Sequence, residues 1–444
     1  MEQSTIAIII ISLAMISFAL ERIPLVATAM LASLAMAIFG IIPPSEAYAG
    51  FSSNVAMMVV GMMIVGNSLF ETGVASKLGD VLSKTKVVNN ERVFIMVVTL
   101  IAGALSAFTS NSAVIALMIP IIASIASRPG SKITQKNVLL PVGMAAVIGG
   151  GITMSGSTPQ VVAQTALEQL GLRQMGYFDL AWVGVPRLLL VVIYFGTIGY
   201  TLEKKVLTFD DVIDKSIIKS NDKAAACEGG GDQVEAGVIE SSDKVVSKTK
   251  MWISSLTMIG VIAGFISETF SLGFWSLLGA TILIATKCIT PKQAFASVDW
   301  NTIGILGAAQ GFAAGLNNSG AGTLIAESTI NLFGGAEIAS PLFITIAIII
   351  VTAVLTNVLS DTALATMFTP IAANIAYTLG VDPLAMVIGV VLATGGDFTP
   401  IATAGLTQTL VGGYRFMDYV KILAPLWFLL MITTVVLCPI MYPF

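Results

Sequence analysis

The sequence predicts an all-α polytopic membrane protein of two inverted repeats, with about ten transmembrane helices and two re-entrant helical hairpins. Three observations predict it. Hydrophobic residues make up 56% of the 444 positions and charged residues 11%, where a soluble domain carries about 25% charged residues. The apolar residues gather into spans that suit a ~30 Å hydrocarbon core as helices. The two halves also interrupt their apolar runs in the same way, with SNSAVIALMIPI from Ser110 and SDTALATMFTPI from Ser360.

Apolar spans run at 5–20, 24–42, 53–72, 137–154 and 184–202. They resume after a polar break at 251–267, 271–286, 302–317, 384–401 and 420–442. Two further apolar regions, 93–126 and 338–377, are interrupted midway by the SNS and SDT triplets. Each is too long for one helix and too short for two ordinary spans plus a solvated loop. Each therefore reads as a re-entrant hairpin with its tip at mid-membrane depth. Non-helical backbone is tolerated there only inside protein or against a water-filled cavity. Residues 74–90 and 321–334 read as short interfacial helices at equivalent places in the two halves. The first span lacks a basic leader and a small-residue cleavage site, so it reads as a mature helix rather than a cleaved signal.

The halves match beyond the tips. PPSEAYAGFSSNVAMMVVG from Pro43 aligns with TPKQAFASVDWNTIGILG from Thr290, which is the signature of an internal repeat. The expected division is a first repeat over 1–203 with tip 110–112, a linker over 204–250, and a second repeat over 251–444 with tip 360–362. The linker is polar, of mixed charge and carries a glycine run, a composition of flexible chain. Five spans and one hairpin per half invert the second repeat relative to the first. With the N-terminus outside, 20 Lys and Arg fall on inner loops and 2, Arg173 and Arg187, on outer ones. That bias is the positive-inside pattern and makes the linker cytoplasmic.

Several chemistries are excluded. The chain has no His and its three Cys (Cys227, Cys288, Cys438) are far apart, so a His/Cys metal site or nucleophile pair has no ligands. PGSK at 129–132 lacks the first half of a phosphate-binding loop, so no built-in ATPase is expected. The net charge of −4 sits in loops and gives no footprint for nucleic acid. A membrane enzyme would have only Asp361 and Asp397 for acid/base work within the spans; none is expected.

Inverted repeats with broken helices at mid-membrane are the architecture of secondary transporters. Four polar breaks fall at repeat-related positions: the two tips, TMSGSTPQ at 153–160 and GDFTPIATAGLTQ at 396–408. Freed carbonyls and hydroxyls suit a dehydrated cation, and helix N-termini suit an anion. A tip and a break in one half can enclose a cation, with the substrate between the two sets. A charge at the bilayer centre costs ~2.5–3.5 kcal/mol and marks ion or proton pathways. Asp361 heads the second tip and Asp397 lies beside the second break. Either could instead cap a helix start, bonded to local N–H groups. Glu71, Glu268 and Asp299 read as solvated residues at span ends.

At these residues the chain resembles the divalent-anion/sodium symporter family of the wider ion-transporter superfamily. That family carries Ser-Asn-Thr at each of two tips, here SNS at 110–112 and SDT at 360–362. It also carries a Gly-Ser/Thr-Pro break after each hairpin, here Gly156-Ser157-Thr158-Pro159 and, more loosely, Ala402-Thr403-Ala404. The resemblance implies a homodimer in the cell membrane working by elevator-type alternating access. It implies no cofactor beyond a coupling cation, Na⁺ foremost. Carried over by position, a first cation site uses Ser106, Ser110, Asn111 and the backbone at Gly156. A second uses Thr356, the backbone at Leu359, Asp361 and the backbone at Ala402. The anion meets Asn111, Ser112, Ser157, Ser360, Thr362 and Thr403. Gln160 stands where the family has Asn, and the second Pro is absent at 404. Asp361 offers acceptors only, where Asn111 also offers a donor.

Two functions follow. One is cation-coupled symport of a small anion, a di- or tricarboxylate foremost, recognised by hydroxyl and N–H donors with no Arg facing it. The other is a Na⁺/H⁺ antiporter or arsenite-type permease of the same superfamily, with Asp361 and Asp397 exchanging Na⁺ and H⁺.

Overall fold

A computed structural model describes residues 2–20, 22–74, 77, 82, 85–128, 130–209, 211, 247–332, 340–400 and 403–444. Among them the chain forms helices and turns and no strand. The first half contains α1 (Gln3–Leu20), α2 (Leu25–Ile38), α3 (Asn54–Glu71), α4 (Glu91–Ser106), α5 (Asn111–Ala126), α6 (Gln135–Gly150), α7 (Thr158–Gln169), α8 (Ala181–Gly196) and α9 (Ile198–Val206). The second contains α10 (Lys248–Ser267), α11 (Leu272–Ala285), α12 (Trp300–Asn318), α13 (Ala321–Leu332), α14 (Pro341–Leu355), α15 (Asp361–Leu379), α16 (Leu384–Thr394), α17 (Ala404–Gln408) and α18 (Phe416–Met441).

Polar residues at the span boundaries start these helices. Ser53, Asn90, Ser271 and Asp299 each accept a hydrogen bond from a backbone N–H in the first turn that follows. Such a cap satisfies donors that a helix start otherwise leaves orphaned. Long apolar side chains face outward as well as inward. Trp252, Leu256, Ile259 and Ile266 of α10 are all more than half exposed. In water such a stripe would be an aggregation liability; in a bilayer it faces lipid. Among the described residues, three helical stretches, Glu46–Glu71, Lys248–Ser267 and Phe416–Met441, are long and apolar enough to cross a membrane alone. Several shorter apolar helices accompany them. The chain is a multi-pass membrane protein.

The interruptions read from sequence are present as gaps between helices. The SNS tip falls between α4 and α5, and the SDT tip between α14 and α15. The expected spans 137–154 and 384–401 stop early, at Gly150 and Thr394, and resume as α7 and α17. The span expected at 184–202 is two helices, α8 and α9, bent by 51°. That span begins at Ala181, three residues earlier than expected, and the assignment of Arg187 to an outer loop is corrected as well. It lies inside α8 and is 2% exposed, not in an outer loop. Only Arg173 then remains on the outer side of the charge count.

Helix reaches both ends of the expected 204–250 linker, through Val206 and from Lys248. Residues 212–246, Cys227 among them, lie outside the described residues. Cys288 and Cys438 are free and buried. Of the interfacial helix expected at 74–90, residues 75–76, 78–81 and 83–84 lie outside the described residues, while α13 occupies 321–332.

Packing pairs recur between the halves. α2 packs on α12, and α11 on α3, so each half lends a helix to the other. α4 packs on α6 and α8 as α14 packs on α16 and α18. α5 meets α17, and α15 meets α7. Each hairpin's second helix thus touches the helix that follows the break in the opposite half. Gly149 of α6 meets Gly103 of α4 so closely that an added Cβ would stand 2.1 Å from the Gly103 carbonyl oxygen. Small residues let membrane helices approach at this range.

Candidate functional site

The two tips have the same local construction. Ser110 caps α5 with φ −66° and ψ 140°, and Ser360 caps α15 with φ −66° and ψ 144°. Each Oγ accepts from the N–H three residues on, Ala113 at 3.3 Å and Ala363 at 3.4 Å. Behind each cap, the last turn of the preceding helix reaches forward. Ser106 Oγ donates to Asn111 Oδ1 at 2.7 Å, and Thr356 Oγ1 lies 2.9 Å from Asp361 Oδ1. Both pairs are five residues apart in sequence, so equivalent positions do equivalent work.

The breaks close on the tips. At the first, an added Cβ on Gly150 would stand 2.4 Å from Asn111 Oδ1, and one on Gly156 would stand 2.3 Å from the Gly150 carbonyl oxygen. Only glycine permits both approaches. Gln160 Nε2 donates to that Gly150 oxygen at 3.1 Å and Ser157 Oγ donates to Gln160 Oε1 at 2.6 Å. Gln160 thereby ties the end of α6 to the start of α7. At the second break, Thr403 Oγ1 lies 3.0 Å from Asp361 Oδ2 and 2.8 and 2.9 Å from the two oxygens of Asp397. Thr356 Oγ1 also lies 2.8 Å from the Thr394 carbonyl oxygen, at the end of α16. Asn357 fixes the backbone between, accepting from Phe398 N–H at 2.9 Å, while its own carbonyl accepts from Thr399 Oγ1 at 2.8 Å.

A cavity of about 530 Å³ lies between these elements. Its wall includes all six residues assigned to the anion: Asn111, Ser112, Ser157, Ser360, Thr362 and Thr403. Of the residues assigned to cations, Ser110, Asn111, Gly156 and Asp361 also line it. Ser106, Thr356 and Leu359 do not; the first two stand one hydrogen bond behind it, on Asn111 and Asp361. Ala402 lies outside the described residues. Asp397 is fully buried and reaches the wall only through Thr403. It does not cap a helix; Thr403 occupies the cap of α17.

Sequence reasoning missed two parts of this wall. Asp299 lines it, exposed, and accepts from Thr302 Oγ1 at 2.7 Å; Thr302 in turn shares a 3.0 Å hydroxyl contact with Thr158. Arg187 lines it too, which corrects the expectation that no Arg faces the site. Its Nη2 donates to the Gly395 carbonyl oxygen at 2.6 Å. Arg187 is the lone charge in the apolar stretch VGVPRLLLVVIYFG, and the sequence reading counts it with the outer loops.

Known proteins resemble this chain over its length. A family model described as citrate transporter matches residues 15–393. An uncharacterized transporter of Synechocystis sp., sll0640, is 21% identical, covering 99% of this chain and 97% of its own. A sodium-dependent dicarboxylate transporter, SdcS, of Staphylococcus saprophyticus is 24% identical, covering 86% of this chain and 75% of its own. Among solved structures, the YdaH transporter of Alcanivorax borkumensis superposes with a TM-score of 0.62 at 13% identity, over 97% of this chain and 98% of its own. MtrF of Neisseria gonorrhoeae, described among antimetabolite efflux pumps, superposes with a TM-score of 0.55 at 13% identity, over 99% and 95%. These likenesses agree with the resemblance to the divalent-anion/sodium symporters. They identify a transporter rather than an enzyme, and the chain belongs to the citrate transporter family.

Proposed function

We propose that the protein is a secondary active symporter that couples a cation, Na⁺ foremost, to a small anion such as a di- or tricarboxylate. The observation that carries this reading is the single cavity walled by both tips and both breaks. Helix starts at Asn111, Thr158 and Asp361 surround it, and such starts present free N–H groups and the positive dipole end to an anion. Oxygen-rich clusters stand behind the tips. Ser106 with Asn111 forms one, and Thr356, Asp361 and Thr403 form the other, giving hard ligands suited to Na⁺. The SdcS relative, named as sodium-dependent and dicarboxylate-transporting, supports the same pairing of cargo.

The exchange of packing partners between the halves supports two repeats related by inversion, with ten spans and two hairpins. Alternating access of the elevator type, in a homodimer of the cell membrane, rests on the family resemblance. The 204–250 segment joins the repeats on the cytoplasmic side.

The second reading, cation/proton exchange, draws on one observation: Asp361 and Asp397 converge on a single hydroxyl. A thermal-shift screen of the purified protein separates the two. Succinate, citrate, sulfate and phosphate are each added with Na⁺ or with K⁺. A ligand that binds the native state raises its apparent stability by mass action. Symport expects an anion to stabilise the protein more in Na⁺ than in K⁺. Stabilisation by Na⁺ alone, with no anion adding to it, favours exchange.

A further inference from the structure

The interior of a membrane protein rarely holds a cation without an anion beside it, because an unpaired buried charge forfeits its hydration without return. Arg187 is such a cation. It lies inside α8 and is 2% exposed. Among the described residues the ion pairs are Arg173 with Asp382 and Lys204 with Glu91, so no carboxylate stands within 4.0 Å of the Arg187 guanidinium. Its hydrogen bond goes from Nη2 to the Gly395 carbonyl oxygen, and its buried Nε has no partner. The same side chain lines the cavity that holds Ser157 and Thr362.

We propose that Arg187 reads the charge of the transported anion, binding one anionic group of a substrate that carries two or more negative charges. The proposal rests on the symport reading and narrows its substrate class. A guanidinium offers five donors in a planar fork that matches a carboxylate or sulfate edge, and it stays charged at any physiological pH. Its anchor fixes its aim: Gly395 holds Nη2, and an added Cβ on Gly396 would stand 2.9 Å from that same nitrogen. Arg187 also answers the mismatch between the tips. Asp361 puts a carboxylate on the cavity wall where the first tip has Asn111, and that carboxylate repels an anion. A fixed positive charge in the same wall offsets it, leaving the hydroxyls and helix starts to orient the rest of the substrate.

The test compares matched probes that differ in one charge: succinate against succinamate, and sulfate against methyl sulfate. Binding to the purified protein is titrated by calorimetry in Na⁺, for the wild type, Arg187→Gln and Arg187→Lys. The wild type is expected to favour the dianion of at least one pair. Arg187→Gln should weaken that dianion roughly 10- to 100-fold, as expected for losing a charged hydrogen-bonding partner, and its monoanion much less. Arg187→Lys should fall between, having the charge without the fork. Equal weakening of both probes, or of neither, would overturn the assignment. If Arg187→Gln does not fold, Arg187→Lys decides: dianion binding as tight as the wild type's overturns it. A wild type that binds none of these probes, nor citrate or phosphate, overturns the symport reading itself.

Discussion

Thr403 holds Asp397: its hydroxyl oxygen lies 2.8 Å from Oδ1 and 2.9 Å from Oδ2 of that wholly buried carboxylate. The same oxygen lies 3.0 Å from Asp361 Oδ2. A hydroxyl has one proton to donate, so it can satisfy only one of these acceptors at a time. On the proposed reading, a cation among the oxygens would remove the deficit. Thr403→Val should therefore destabilise the protein by about 1–3 kcal/mol, the cost of removing one hydrogen-bond donor from a buried charged group. Thr403→Ser should recover most of it. Melting midpoints of the two variants in detergent check this; equal midpoints would contradict it.

Asp361→Asn makes the second tip chemically like the first. The variant should keep or gain anion binding, because a repelling carboxylate leaves the cavity wall. Its apparent Na⁺ affinity should fall roughly tenfold, about 1.4 kcal/mol. Titrating Na⁺ against the anion-induced thermal shift measures both. Anion binding that disappears with the carboxylate would show that Asp361 serves the anion directly.

Gly150→Ala separates local propensity from site geometry. Alanine in place of a helical glycine ordinarily stabilises by ~1 kcal/mol. Here the new Cβ would stand 2.4 Å from Asn111 Oδ1 and must displace it. Pushing Asn111 off its rotamer costs roughly 0.5–1.5 kcal/mol, up to about tenfold in ion affinity. The expected outcome is unchanged or lower stability with weaker Na⁺ dependence of binding. A more stable protein with normal Na⁺ dependence would mean that Asn111 is not held by this contact.

Arg173 and Asp382 form a 2.7 Å ion pair that joins the two halves at the surface, with Arg173 62% exposed. An exposed pair of this kind contributes ~0.2–1 kcal/mol and is screened by salt. Asp382→Asn should lower the melting midpoint slightly at low salt and not at high salt, with substrate binding intact. A large loss that persists in high salt would show that the contact is structural.

Much of this arrangement was legible in the sequence because polar triplets inside apolar runs are costly unless they face protein or water. Ser110-Asn111-Ser112 and Ser360-Asp361-Thr362 stood out for that reason, and the cavity brings them together. Arg187 was not legible in the same way. A single Arg near the edge of an apolar run reads as a side chain snorkelling to the interface. The helix α8 starts at Ala181, so Arg187 sits well inside it, where the fold buries the side chain against Gly395. The 51° bend between α8 and α9 also left no mark in the hydropathy. Asp397 was noticed, but its role as a partner of Thr403 depends on a turn that only the folded chain brings round.

The most direct measurement is uptake of labelled succinate by proteoliposomes containing the purified protein, with an inward Na⁺ gradient and with Na⁺ equal on both sides. Cation-coupled symport expects concentrative uptake that needs the gradient and is lost when Na⁺ is equalised. No uptake of succinate or citrate under either a Na⁺ or a pH gradient, together with Na⁺-driven proton movement in the absence of any anion, would contradict it.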